Sequence, residues 1–213
     1  MTITLTAILI AYFIGAIPFG LLVARIFGVR DIRKVGSGNI GATNVLRTLG
    51  VKAAVWVYLL DIGKGSVVVW VAGIVFHDTA RPELMVVMIG IAAILGHIFP
   101  VYLRFRGGKG VATAAGVLAV LLPSETLVAV VVFLVIVFST RYVSVASMAA
   151  ALALPLTVVV EQNLYDQEVS QVYWLLTVAI GLFVPLTHVR NIRRLLAGTE
   201  NRFSLGRHRG NDE

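Results

Sequence analysis

Residues 51–76 read VKAAVWVYLLDIGKGSVVVWVAGIVF, an apolar run interrupted near its middle by one acid and one base, Asp61 and Lys64. A helix needs about 20 apolar residues to cross roughly 30 Å of hydrocarbon, so this run predicts a membrane span. Asp61 and Lys64 stand three residues apart, and each would cost about 2.5–3.5 kcal/mol if it faced lipid unpaired. We therefore expect both to face the interior of a helix bundle. A structural ion pair and a contact with substrate both remain open for them.

The composition extends this prediction to the whole chain. Of the 213 residues, 58% are hydrophobic and 14% are charged, and the mean hydropathy is +0.91. Soluble domains average about 45–50% apolar and about 25% charged residues. We predict an all-α integral membrane protein with seven transmembrane helices, formed by one catalytic domain over residues 1–200, and a polar basic tail over residues 201–213. The apolar runs cover residues 3–27, 51–76, 84–103, 111–122, 126–138, 142–160 and 172–187.

The basic residues predict the orientation. Two of the runs, 111–122 and 126–138, are short and could instead form one span kinked at Pro123. That alternative would place Arg141 and the basic tail outside, against the rule that cytoplasmic segments are rich in Lys and Arg. With seven spans and the N-terminus outside, the C-terminus and the short glycine-rich loops are cytoplasmic. The chain has no cysteine, which excludes disulfides, thiolate zinc sites, iron–sulfur clusters and a cysteine nucleophile.

The first polar segment covers residues 36–47, GSGNIGATNVLR. Its glycines match a dinucleotide fingerprint by letter, but no strand precedes them and no βαβ unit surrounds them. Glycines still allow backbone N–H groups to turn toward an anion, and the N-terminus of a following helix favours negative charge. A helix that begins near Ala42 would direct Thr43, Asn44 and Arg47 the same way. A phosphate or carboxylate site and an ordinary capped turn are the two interpretations.

The second polar segment covers residues 104–113, RFRGGKGVAT. It lacks the Ser or Thr that would follow Lys109 in a nucleotide-binding loop, so a Walker A site is not expected. Glycines around a Lys at a helix N-terminus still suit a phosphate. A basic cytoplasmic hairpin would explain the charges, but it gives no reason for three glycines packed around Lys109.

The third polar segment covers residues 188–200, HVRNIRRLLAGTE. If the last helix continues, His188 and Asn191 share a face and could act as a proton acceptor and an orienting amide. A basic segment that touches anionic lipid is the alternative. Elsewhere, His97 is more typical of interfacial packing, and Ser144 and Ser147 of contacts between helices.

Together with residues 61–65 (DIGKG) and 96–100 (GHIFP), these segments resemble the bacterial acyl-phosphate:glycerol-3-phosphate acyltransferases, over essentially the whole chain. The resemblance implies an enzyme of the bacterial inner membrane whose active site faces the cytoplasm. It would move a fatty acyl group from acyl phosphate to the sn-1 hydroxyl of glycerol 3-phosphate, giving 1-acylglycerol 3-phosphate and phosphate. No cofactor, metal or nucleic acid is implied. The expected partners are glycerol 3-phosphate, long-chain acyl phosphate and membrane lipid, with functional coupling to the enzyme that makes acyl phosphate.

The resemblance also implies roles for individual residues. The predicted catalytic residues are Ser37, Arg47, Lys109, His188 and Asn191. The predicted substrate-binding residues are Gly36, Gly38, Asn39, Gly41, Thr43, Asn44, Lys64, His97, Gly107, Gly108, Gly110, Ser144 and Ser147, and the predicted structural residues are Asp61 and Glu200. Either His188 or a phosphate oxygen of the substrate could accept the proton. A membrane transporter of a phosphorylated metabolite is the competing hypothesis.

Overall fold

The computed structural model describes residues 2–164 and 168–203, and over these ranges the chain forms α-helices and short 3₁₀ turns without a β-strand. The all-α fold class is therefore confirmed. Residues 204–213, most of the predicted tail, lie outside the described ranges. The helices are α1 (Thr2–Ala16), α2 (Phe19–Ile26), α3 (Ala42–Leu49), α4 (Val51–Val75), α5 (Pro82–Ile98), α6 (Val111–Leu121), α7 (Pro123–Thr140), α8 (Val143–Leu164), α9 (Gln171–Thr187) and α10 (Val189–Leu196).

Five helical stretches are long and apolar enough to cross a membrane. They are Thr2–Ile26, which joins α1 and α2, and then Val51–Val75, Pro82–Leu103, Pro123–Thr140 and Val143–Leu164. α9 and α10 form a sixth candidate, bent by 56°. α6 has 11 residues, or about 16 Å at 1.5 Å per residue, which is shorter than the hydrocarbon core. A multi-pass membrane protein is thus confirmed, while the count of seven spans and their orientation stay predictions.

Prolines and a glycine with positive φ mark three of the helix boundaries. The first apolar run, expected to be one helix, breaks at Ile17 and Pro18. Pro123 is the first residue of α7, so residues 111–140 form two helices instead of one kinked span. Gly50, with φ of 82°, separates the short amphipathic α3 from α4.

Glycines allow α4 and α6 to approach closely. Gly65 of α4 lies against the backbone carbonyl of Thr113, and Gly116 of α6 lies against that of Ile62. A side chain at either glycine would overlap the facing carbonyl. Small residues at such contacts are typical of membrane helices, which associate through close packing because lipid removes the hydrophobic driving force.

Two apolar clusters position the polar loops. The larger one joins α1, α4, α5, α6, α8 and α9. The smaller one packs α2, α3 and the start of α4 around Ile32 and Ile40, which anchor the loop between α2 and α3. Most side chains of α7 are exposed, and this helix packs mainly against α8. The three polar segments meet at one end of the helix bundle, where their residues line one cavity.

We expect Gly65→Ala to lower the thermal unfolding midpoint in detergent by several degrees, because the added methyl would force α4 away from Thr113. Gly63→Ala in the same helix is the matched control. Nothing lies within 4 Å of a methyl at Gly63, and Ala is the better helix former by about 0.5–1 kcal/mol. Equal midpoints for the two variants would contradict the close α4–α6 contact.

Candidate active site

One cavity of about 1440 Å³ brings together residues of all three polar segments. The predicted site residues in its wall are Ser37, Gly38, Asn39, Gly41, Thr43, Asn44, Arg47, Asp61, His97, Gly107, Gly108, Lys109, Gly110, Ser144, Ser147, His188, Asn191 and Glu200. Two predicted substrate-binding residues, Gly36 and Lys64, are described but do not belong to this wall. The structure therefore brings most of the predicted site residues together around one cavity, while that cavity's role and the role of each residue stay predictions.

The first loop is organised by Asn44, which is 1% exposed at the start of α3. Its Oδ1 accepts from the backbone N–H of Ser37 at 2.7 Å, and its Nδ2 donates to the carbonyls of Ile32, Val35 and Asn39 at 3.1, 3.1 and 2.8 Å. The Asn44 amide is thus occupied by the loop itself. The spacing with Arg47 instead suggested an Asn44 amide that is free to bind an anion.

Hydrogen bonds to other residues fix the backbone of Ser37 and the side chain of Arg47 in this loop. The Asn44 bond fixes the backbone of Ser37 without using its hydroxyl. Gly36 has φ of 60°, and a side chain there would collide with Asn44 Oδ1, so this position requires glycine. Arg47 Nη2 donates to the carbonyl of Asn201 at 3.4 Å. Burial lowers the pKa of Arg47, but a guanidinium remains charged at neutral pH.

The second loop sits on the end of α5. The N–H groups of Gly107 and Gly108 donate to the carbonyls of Ile98 and His97, both at 3.1 Å. Gly110, with φ of 80°, then starts α6. Lys109 Nζ donates to Asn191 Oδ1 at 2.6 Å, which leaves two of its three hydrogens for a ligand.

Lys109 is the cation that stands among the glycines of this loop. Burial lowers its pKa to about 8, with Glu200 acting in the opposite direction and with Arg194 and Arg47 lowering it further. Lys109 is therefore mostly protonated at neutral pH, and a bound anion would favour its charged form.

Glu200 joins the second and third segments. Its Oε1 accepts from Ser144 Oγ at 2.9 Å and from Asn191 Nδ2 at 2.7 Å, and its Oε2 accepts from Arg194 Nε at 2.7 Å. Burial alone would raise the pKa of Glu200, but these hydrogen bonds outweigh it and lower the pKa overall. Because Asn191 also contacts Lys109, a continuous chain of hydrogen bonds connects Glu200 to the glycine-rich loop.

His188 lies at the junction of α9 and α10 and is 2% exposed. Its Nδ1 is 2.8 Å from the carbonyl oxygen of Val184. A carbonyl can only accept, so this contact assigns the proton to Nδ1 and leaves the lone pair of the neutral ring on Nε2. His188 also lines the cavity, as a proton acceptor would.

Among the serines that the sequence singled out, Ser144 donates to Glu200 and Ser147 Oγ donates to the carbonyl of Val143 at 2.8 Å. Both hydroxyls are therefore already bonded within the protein, although both residues line the cavity.

Sequence reasoning did not assign several arginines to the cavity. It gave them to orientation or lipid contact, but they line the cavity wall, namely Arg33, Arg106, Arg190, Arg193 and Arg194. Their positions in sequence contain no signal that separates these two roles. The cavity also has an apolar wall formed by residues of α6, α7, α8 and α9, including Leu118, Val130, Phe133, Leu154 and Ile180. A cavity that is basic at one end and apolar elsewhere suits a ligand with a phosphate and an acyl chain.

Comparisons with known proteins agree with this geometry. The protein-family model described as "Glycerol-3-phosphate acyltransferase" matches residues 5–198. A protein of that name from Syntrophotalea carbinolica is 45% identical, over 95% of this chain and 99% of its own. One of the same name from Geobacter sulfurreducens is 46% identical, over 91% of this chain and 94% of its own.

Two solved structures are also similar. Both are of PlsY (YgiH), described as an integral membrane glycerol 3-phosphate acyltransferase. Its glycerol 3-phosphate form aligns with a TM-score of 0.84 at 39% identity, covering 94% of this chain and 96% of that one. Its lysophosphatidic acid form gives 0.82 at 38% identity, covering 95% and 96%.

We expect Lys109 to become reactive toward a small amine acylating reagent with half-maximal modification near pH 8, because its deprotonated fraction rises through its lowered pKa of about 8. Peptide mass spectrometry across a pH series measures the modification at each lysine. Lys34 and Lys52 are internal controls, because both side chains are exposed to solvent. Modification of Lys109 in parallel with these two would contradict its desolvation.

Proposed function

Because the chain belongs to the glycerol-3-phosphate acyltransferase family, we propose that its cavity transfers a fatty acyl group from acyl phosphate to the sn-1 hydroxyl of glycerol 3-phosphate. Acyl transfer to glycerol 3-phosphate follows from the family, and the transporter hypothesis is set aside. The identity of the donor and the roles of the residues are the proposal. The observation that carries it is the meeting of two glycine-rich basic loops, distant in sequence, at one end of an otherwise apolar cavity.

Each loop supplies a place for one phosphate. In the first loop, Ser37 and Arg47 would contact one phosphate group, supported from behind by Asn44. In the second, the side chain of Lys109 and the backbone N–H groups of Lys109 and Gly110 would hold the phosphate of glycerol 3-phosphate, since the N–H groups of Gly107 and Gly108 donate to the end of α5. Both substrates of the proposed reaction carry a phosphate, so two such places are needed at once. Side chains that neutralise phosphate charge also stabilise the charge that develops during transfer.

The apolar wall provides space for the acyl chain. α6, α7, α8 and α9 all contribute to it, α7 through Ala129, Val130 and Phe133. An acyl chain that moves from the bilayer into such a cavity stays in apolar surroundings, so the transfer has little cost. A chain bound along this wall would place the reactive carbonyl next to the basic loops.

The proposed chemistry is one direct displacement. The sn-1 hydroxyl oxygen of glycerol 3-phosphate attacks the acyl carbonyl carbon and forms the new ester C–O bond. The bond from that carbon to the phosphate oxygen breaks, and inorganic phosphate leaves with the electron pair. An acyl phosphate is a mixed anhydride with a good leaving group, so orientation and charge neutralisation matter more than a covalent intermediate.

The hydroxyl proton requires an acceptor. The Nε2 lone pair of His188 is the one that the geometry favours, because Val184 holds the other ring nitrogen in its protonated form. Asn191 would keep Lys109 directed toward the phosphate, and Glu200 would hold Asn191 in turn. Arg194, which the sequence analysis did not single out, would stabilise Glu200.

Charge asymmetry supports the proposed setting of the enzyme. With seven spans and the N-terminus outside, the segments rich in Lys and Arg face the cytoplasm. This orientation would place the cavity's basic end at the cytoplasmic face of the bacterial inner membrane. The soluble substrate would then arrive from the cytoplasm and the acyl chain from the bilayer.

We expect the purified protein in lipid to form lysophosphatidic acid and phosphate in equal amounts from palmitoyl phosphate and glycerol 3-phosphate. Chromatography of the lipid product and a colorimetric phosphate assay would measure both. Ser37→Ala should lose most of this activity because a hydrogen-bond donor to phosphate is removed, with Ser139→Ala, whose hydroxyl bonds within α7, as the matched control. Activity with palmitoyl-CoA and none with palmitoyl phosphate would refute the proposed donor.

His188→Asn, whose amide nitrogen can keep the hydrogen bond to the Val184 carbonyl, is expected to lower kcat by about 100-fold or more, the usual contribution of a general base. Steady-state kinetics with both substrates saturating would give this value. A loss of less than about tenfold would instead assign proton acceptance to a phosphate oxygen of the substrate.

A further inference from the structure

A buried polar cluster lies beside the proposed phosphate sites. It consists of Asp61 and Lys64 of α4 and His97 of α5, all less than 7% exposed. Asp61 Oδ1 is 2.8 Å from Lys64 Nζ and 3.5 Å from His97 Nδ1. Charged groups in such a place persist only when they are paired, and Asp61 is paired with Lys64, while His97 Nδ1 lies near the same carboxylate oxygen without a hydrogen-bond partner among the described residues.

Lys64 and His97 lie on either side of Asp61 and contact different parts of the molecule. Lys64 Nζ donates to the carbonyl of Ile17 at 3.0 Å and lies 5.5 Å from the centre of the Phe19 ring. It therefore satisfies backbone at the break between α1 and α2 and stands behind the cavity wall. His97, in contrast, lines the cavity and lies in the last turn of α5.

The second glycine-rich loop rests on the His97 ring. A methyl group built on Gly108 would have three ring atoms of His97, including Nε2, as its nearest neighbours and would overlap them. The Gly108 N–H also donates to the His97 carbonyl at 3.1 Å. Gly108 is not among the glycines with positive φ, so the imidazole, and not the backbone conformation, excludes a side chain there. Lys109 is the next residue after Gly108, and its side chain extends from this turn to Asn191.

We propose that His97 is a positioning residue: its buried imidazole supports Gly108 from beneath and so sets the place of Lys109 for glycerol 3-phosphate. The proposal rests on the proposed function for the identity of that ligand. It replaces direct contact between His97 and substrate with an action through the loop. It also separates His97 from Lys64, which the sequence analysis had grouped with it.

The test uses the space that the two residues share. His97→Ala leaves a gap beneath the loop, and Gly108→Ala adds a methyl that the native ring cannot accommodate. We expect each single substitution to raise KM for glycerol 3-phosphate by about tenfold or more, since small displacements of binding groups have large effects. KM for acyl phosphate should change by less than about twofold.

The double variant is decisive. Its added methyl occupies part of the space that the ring vacates, so we expect its KM to fall below that of either single variant. A direct ligand could not be replaced by a methyl on another residue, so a double variant at least as impaired as His97→Ala would overturn the proposal. Non-additivity of this kind is expected only for residues in contact.

Calorimetric binding of glycerol 3-phosphate without an acyl donor gives a readout that is independent of turnover. His77→Gln is the control for loss of a histidine, since His77 is exposed on the loop between α4 and α5. Thermal unfolding of each variant excludes loss of folding as the cause. If the wild-type protein binds glycerol 3-phosphate but forms no product, the proposed transfer fails while the positioning test can still be read from the binding constants.

Discussion

The site depends on the hydrogen bonds that the buried carboxylate of Glu200 accepts. It accepts hydrogen bonds from α8 and α10, and Asn191 extends the connection to Lys109. A buried carboxylate is tolerated only when its oxygens are paired, so the segments that carry its partners must converge on it. Ser144 and Glu200 are 56 residues apart, and Lys109 and Asn191 are 82 apart. One acid thus assembles a basic site from distant parts of the chain.

The two glycine-rich loops are held in place by different means. The first is organised from within, because one amide side chain, Asn44, bonds the backbone on both sides of its turn. The second has no such internal organiser in the contacts described above and is seated on the end of α5. Its geometry therefore depends on how α5 packs, and through Asp61 on how α4 packs. Local contacts therefore set the geometry of the first loop, and helix packing sets that of the second.

Local features allowed much of this to be predicted. Uninterrupted apolar runs indicate membrane helices, Pro123 marks the start of α7, and the three-residue spacing of His188 and Asn191 predicts side chains on one face. The pairing of Arg194 with Glu200 was not predictable, because it depends on the turn at Gly198, whose φ is 69°. The partner of Lys64 was not predictable either, since Ile17 lies 47 residues earlier. The occupied state of the Asn44 amide likewise depends on loop geometry that spacing alone does not contain.

The break between α1 and α2 links the evolutionary histories of two distant positions. Pro18 interrupts the helix, and the Ile17 carbonyl at this break accepts from the Phe19 N–H at 3.1 Å and from Lys64 Nζ at 3.0 Å. A lineage that replaced Pro18 and straightened the helix would remove the place where Lys64 makes this hydrogen bond. A lineage that lost Lys64 first would leave the carbonyl with one donor and Asp61 without its ion-pair partner in an apolar setting. The order in which substitutions at these two positions accumulate is therefore constrained by the buried ion pair.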